Sequence, residues 1–192
     1  SRLGDVLYDK GNFQDALELY EGTLSWREKK LGRQHPKTLA ILYSVGLTYF
    51  RLGDSKKARV YLVQVLEAQE SILCRDHPAT LSTLQDLGRM CYENGDYEDG
   101  QRWYERALVV QKKVLGSDDL RTLDTIQFLG FICYKRKHYG QGQGYFTHAL
   151  AGRTKLLGGG HSLTLDSALS LGLTLWRQNK YREALHWYEH AL

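Results

Sequence analysis

The sequence predicts an all-α protein, a right-handed superhelical solenoid of antiparallel helix pairs. Three observations predict it. First, one skeleton returns every 42 residues: the repeat starts fall at Leu31, Leu73, Leu115 and Leu157 with no insertion between them. Thr38, Thr80, Thr122 and Thr164, each followed by Leu, hold one position of that skeleton. Gly4, Gly46, Gly88, Gly130 and Gly172 hold a second, and Leu24, Leu66, Leu108, Leu150 and Leu192 a third. Self-similarity at a period of about 20–50 residues is the signature of stacked units that bury a core only against their neighbours. Second, apolar residues inside each repeat keep helical spacing, as in Phe13, Ala16, Leu17, Tyr20 and Leu24. Third, only two prolines occur, and both sit at repeat boundaries, which leaves the stretches between them free to be helical.

Residues 1–30 read as the tail of one repeat. Residues 1–10 end a first helix, Gly11 and Asn12 make a turn, and residues 13–30 form a long second helix. Residues 31–72 are the first complete repeat. Its linker LGRQHP holds a glycine suited to stop one helix and a proline suited to open the next. A helix is expected from Pro36 to Leu52, a turn at Gly53-Asp54, and a second helix from Ser55 to Ile72. Residues 73–114 are the best-formed repeat. There Gly88 and Gly100 are expected to face each other where two helices approach closely. Residues 115–156 depart most: Asp119-Leu120 replaces His-Pro, Lys137 replaces the turn glycine, and Gly140, Gly142 and Gly144 fall inside a helix expected to be the loosest. Residues 157–192 restore the pattern, with Asn179 at the turn. The expectation is therefore one domain of ten helices in five pairs, the first pair partial, cut from a longer protein.

Composition sets bounds. Hydrophobic residues make up 42% and charged residues 25%, ordinary for a soluble protein. A net charge of +4 does not argue for nucleic acid without a basic stripe on one face. No apolar run approaches the roughly 20 residues that span a bilayer. The opening residues do not read as a signal or transit segment. Cys74, Cys91 and Cys133 form no CxxC pair, and reduced core cysteines in a cytoplasmic protein are expected. His186-Trp187-Tyr188-Glu189-His190 matches HxxEH, an inverted zinc-protease pattern. The aligned slots elsewhere hold Arg102 and Arg106, or Glu18 and Gly22, so this is a polar helix surface that happens to carry histidines. Gly158-Gly159-Gly160 lacks the frame of a phosphate loop. No catalytic set, metal site or cofactor is expected.

The residues carry a family resemblance. Small residues paired across two helices, aromatics at the turn, and second helices such as Trp103-Tyr104-Glu105-Arg106-Ala107-Leu108 resemble tetratricopeptide repeats. The 42-residue period and the LGxxHPxTL linker resemble the kinesin light chain type. HPATLSTLQDLG and GDYEDGQRWYERAL are similar to repeats of fungal NACHT-type receptor ATPases. The resemblance implies that the first helix of each pair lines a concave groove. It also implies a protein or peptide partner there. Kinesin light chain repeats usually carry paired asparagines in the groove. Here those places hold Tyr43-Ser44, Gln85-Asp86, Gln127-Phe128 and Leu169-Ser170. The lysine, asparagine and arginine of the chaperone-tail clamp are also missing, since Tyr43, Leu47 and Asp86 occupy three of those positions.

Groove candidates fall in rows. One row is Tyr8, Phe50, Tyr92, Tyr134 and Trp176, aromatic in every repeat; a second is Leu47, Arg89, Phe131 and Leu173; a third is Arg51, Glu93, Lys135 and Arg177. Tyr43, Gln85 and Gln127 complete the set. Aromatics beside cations favour partner contact, and packing between repeats competes for the same rings. The functional expectation is a non-catalytic protein-interaction scaffold, with no nucleic acid and no membrane. The alternative is a sensor arm of a NACHT-type receptor ATPase.

Overall fold

The computed structural model describes residues 2–191. Its ten helices are α1 (Arg2–Asp9), α2 (Phe13–Leu31), α3 (Pro36–Arg51), α4 (Ser55–Ile72), α5 (Pro78–Asn94), α6 (Tyr97–Val114), α7 (Leu120–Lys135), α8 (Tyr139–Leu157), α9 (Ser162–Arg177) and α10 (Tyr181–His190). No strand occurs among the described residues. The predicted bounds hold to within a residue or two. Ser1 and Leu192, the last member of the leucine row, lie outside the described residues.

The chain forms two compact units, Ser1–Met90 and Cys91–Leu192. In the first, Ala16, Leu17, Tyr20, Leu24, Ile41 and Val45 make a core between α2 and α3. In the second, one cluster joins Tyr104 and Leu108 to Leu123, Ile126 and Leu129. Another joins Phe146 and Leu150 to Leu171, Leu175 and Ala184.

Glycines of the first helices set how closely each pair packs. A methyl carbon placed on Gly130 would lie 2.6 Å from the Phe146 ring; on Gly4 it would lie 2.7 Å from Tyr20, on Gly172 2.9 Å from Tyr188, and on Gly46 3.0 Å from Leu62. The neighbour is thus the large side chain 16 residues on. At Gly142, the counterpart of Gly100, a methyl carbon would lie 3.4 Å from the Gly130 carbonyl oxygen, so two glycines do meet across α7 and α8. Each glycine costs about 1 kcal/mol of helix propensity against alanine. Burying a large apolar side chain such as Phe146 offsets that by about 1.5–3 kcal/mol.

Helix ends repeat as faithfully as helix faces. The turn inside each pair places Gly11, Gly53, Gly95, Lys137 and Asn179 in the left-handed region. The linker between pairs does the same with Gly32, Cys74, Gly116 and Gly158. The next helix is then capped by a side chain that accepts from the backbone two residues on. His35 Nδ1 accepts from Lys37 N at 3.1 Å, His77 Nδ1 from Ala79 N at 3.1 Å, and His161 Nδ1 from Leu163 N at 3.2 Å. Where the sequence changes to Asp119, its carboxylate accepts from Arg121 N at 2.9 Å and performs the same task.

A further row ties each pair to the next. Arg27 donates to the Lys37 carbonyl at 2.5 Å, Gln111 to the Arg121 carbonyl at 3.3 Å, and Arg153 to the Leu163 carbonyl at 3.0 Å. Gln69, in the remaining slot, instead accepts from the Thr83 hydroxyl at 2.8 Å.

Candidate functional site

The aromatic row packs across the turn of its own pair, against the ring five residues on. Tyr8 meets Phe13 at 5.3 Å between centroids, Tyr92 meets Tyr97 at 5.8 Å, Tyr134 meets Tyr139 at 5.6 Å, and Trp176 meets Tyr181 at 6.5 Å. Phe50 is the exception, because Ser55 stands where the others have a ring. These rings are only half-buried, and Trp176 is 48% exposed. Packing and surface presentation therefore coexist in one side chain.

A second relation runs between pairs at an offset of 43 residues. Arg51 Nε donates to the Tyr8 hydroxyl at 3.2 Å, and Arg177 Nε donates to the Tyr134 hydroxyl at 3.0 Å. The Arg177 guanidinium also lies 5.8 Å from the Tyr134 ring centre and 5.4 Å from that of Trp176. The Tyr43 hydroxyl donates to the Asp86 carboxylate. Asp86 in turn pairs with Arg89 at 2.8 Å. Burial raises the Tyr43 phenol well above the usual tyrosine range, the Asp86 charge and hydrogen bond add to this, and Arg89 opposes it. Tyr92 is raised in the same direction by burial.

Gln127 corrects an expectation. It is buried, not presented: its amide nitrogen donates to the Ser170 hydroxyl at 3.2 Å, and its oxygen accepts from the Ser167 hydroxyl at 3.1 Å. The positions where the kinesin-type resemblance implies a cargo contact are thus tied to one another in two places, Tyr43 to Asp86 and Gln127 to Ser170. Gln85 is half-buried and Lys135 is exposed at the end of α7. Phe131 is half-buried, 5.3 Å from the Phe146 ring and 6.2 Å from Phe128.

Three apolar side chains are exposed together on α9. Leu169, Leu173 and Trp176 form one stripe at helical spacing, 40%, 48% and 48% exposed. Within the same unit it lies on the helix that brings Arg177 to Tyr134. Two hollows in the first unit were not foreseen. One, of about 930 Å³, is bounded by α2, α3 and α4, where Tyr49 and Tyr61 stack at 5.5 Å and Lys57 sits 4.9 Å from the Tyr49 ring. The other, of about 510 Å³, lies between the starts of α3 and α5. The larger hollow is therefore on the side of the second helices, away from the predicted rows.

His186 and His190 are exposed and lie against Trp187, at 5.2 and 5.9 Å. Among the described residues no group of three His, Cys, Asp or Glu side chains could hold a metal ion. No described helix is long and apolar enough to cross a membrane.

Comparison with known proteins gives the family. In a comparison with curated proteins, none matches this chain. A putative kinesin light chain with nearly identical TPR-like repeats from Podosopora anserina is similar in structure. Its TM-score is 0.87 at 24% identity, over 99% of this chain and 90% of that one. BtubC (BKLC) from P. vanneervenii has a TM-score of 0.86 at 21% identity, over 98% of this chain and 75% of that one. MamA from Desulfovibrio magneticus RS-1 has a TM-score of 0.73 at 15% identity, over 99% of this chain and 89% of that one. These likenesses establish an all-α solenoid fold. The family model for the tetratricopeptide repeat matches residues 1–71, 80–141 and 123–192, nearly the whole sequence, and the chain belongs to the tetratricopeptide repeat family.

Proposed function

We propose that this chain is a non-catalytic scaffold that holds an extended peptide or a partner domain against the face of its first helices. The observation that carries the reading is the α9 stripe of Leu169, Leu173 and Trp176 with Arg177 beside it. Rigid aromatic and aliphatic side chains next to an arginine favour partner contact. Contiguous exposed apolar surface costs solubility and commonly marks an interaction site. The two buried free thiols, Cys91 and Cys133, fit a reducing compartment such as the cytoplasm.

The test compares two surfaces. A partner captured by the wild-type chain should be lost when Leu173→Ser and Trp176→Ala are combined. It should be kept with Val109→Ser, which changes a 72% exposed residue on α6. Both variants should melt near the wild type. Loss of the partner in the Val109 variant alone would move the working surface to the second helices.

A further inference from the structure

The hollow between α3 and α5 has an internal reference. Two repeats later the same position of the skeleton is filled. There Arg153, 3% exposed, donates to the Leu163 carbonyl at 3.0 Å and the Ser167 hydroxyl at 2.8 Å, and pairs with Asp124 at 2.5 Å. Counting back 84 residues, Arg153 becomes Gln69, Asp124 becomes Ala40, Leu163 becomes Ala79 and Ser167 becomes Thr83. A long planar cation, its carboxylate and a leucine have been exchanged for a shorter amide and two alanines. The space they would fill is the cavity of about 510 Å³.

What remains selects the occupant. The walls include Leu39, Ala40, Leu73 and the Tyr43 ring. The polar floor is the amide of Gln69, 7% exposed, held by the Thr83 hydroxyl at 2.8 Å. Gln111 and Arg153 spend a nitrogen on the carbonyl ten residues on, whereas the Gln69 amide nitrogen has no hydrogen-bond partner among the described residues. A guanidinium returning to this place would find no carboxylate at Ala40, and burying an unpaired charge is costly. A purely apolar group would leave the amide unmet. A flat ring with one hydrogen-bonding tip satisfies both conditions.

We infer that this cavity is a binding pocket for one tyrosine side chain of a protein partner, its ring between the apolar walls and its hydroxyl on the Gln69 amide. The inference rests on the reading of the chain as a protein-binding scaffold, but its test needs no partner. The probes are N-acetyltyrosinamide, N-acetylphenylalaninamide and N-acetylargininamide, titrated at millimolar concentration into the full chain and followed by amide chemical shifts. Tyrosinamide should give saturable shifts at Leu39, Ala40, Ser82 and Thr83. Phenylalaninamide should bind about threefold to tenfold more weakly, the worth of one hydrogen bond. Argininamide should not saturate.

The combined change Ala40→Asp and Gln69→Arg imports the occupied arrangement and should abolish binding in a protein that melts at or above the wild-type temperature. Ala79→Leu, which imports the bulk of Leu163, carries the comparison if the double change does not fold. Three outcomes overturn the pocket: no saturable shift with tyrosinamide, undiminished shifts in the filled variants, or tighter binding of argininamide or phenylalaninamide. Each would leave the α9 stripe and its partner test standing.

Discussion

Single residues mark where the repeat has drifted from what its backbone asks. Lys137 occupies the left-handed turn slot with φ 62°, where Gly11, Gly53 and Gly95 sit at no steric cost. Lys137→Gly should therefore stabilise the protein by about 0.5–1 kcal/mol in a denaturant melt, the gain reduced by the greater freedom of glycine in the unfolded chain. The α7 and α8 glycines divide the other way. Gly144→Ala meets nothing within 4 Å and should add about 1 kcal/mol, whereas Gly130→Ala drives into buried Phe146 and should cost about 1–3 kcal/mol. If the two substitutions shifted stability alike, the close contact in the second unit would not exist. Tyr43 gives a test in alkali. Its phenol is raised in the fold, so its contribution is complete below about pH 10, the unfolded value, and is lost as pH climbs above it. An ultraviolet titration at about pH 11 should find fewer than the 13 tyrosines ionised while the chain stays folded. Tyr43→Phe should leave that early-ionising number unchanged.

At the scale of one helix, the ends carry more of the specification than the middles. Pro36 and Pro78 open α3 and α5, and the preceding histidine accepts a backbone N–H. His77→Ala should cost about 0.5–2 kcal/mol, and His77→Asp should restore most of it, because Asp119 already does this work for α7. α8 is continuous from Tyr139 to Leu157 despite its three glycines. Its stability comes from the buried half around Phe146, Ala149 and Leu150, not from its first turns. Hydrogen exchange should accordingly run faster over residues 140–145 than over 98–103 of α6, and Gly140→Ala with Gly144→Ala should remove the difference. Equal protection in the wild type would refute it. Helices of this kind were legible in the sequence because the turn glycines Gly11, Gly53 and Gly95 and the linker prolines Pro36 and Pro78 mark the early boundaries, and the 42-residue period carries them to the later ones. The row of Arg27, Gln69, Gln111 and Arg153 was not. Its members differ in charge and length, and what Arg27, Gln111 and Arg153 share is reach to a backbone carbonyl, which no residue pattern names.

Across the molecule, cohesion is local. Each helix pair touches its neighbours in sequence, and stability in such stacks is close to a sum of unit and interface contributions. Damage should not spread. Gly130→Ala should lower exchange protection in α7, α8 and α9 and leave α1–α3 as they were. A uniform loss would mean that the chain opens as one body. The same locality explains what could be read of the candidate site. The rows followed from the period, and the half-exposed rings are where the period put them. The burial of Gln127 did not follow, because it depends on Ser167 and Ser170 arriving from a helix 40 residues away. The cavity beside Gln69 depends on three residues, Gln69, Ala40 and Ala79, being smaller than their counterparts, visible only once the filled version shows what belongs there.

The offset of 43 between bonded side chains has a consequence for how such a chain can change its copy number. Losing residues 73–114 whole would leave every turn and linker in frame, since the backbone repeats at 42. It would bring Phe128 to the place of Asp86, and the Tyr43 hydroxyl would face a ring instead of a carboxylate. Genetic duplication and loss are thus nearly silent to the backbone and are read by the side chains, which remember the neighbour they were selected beside.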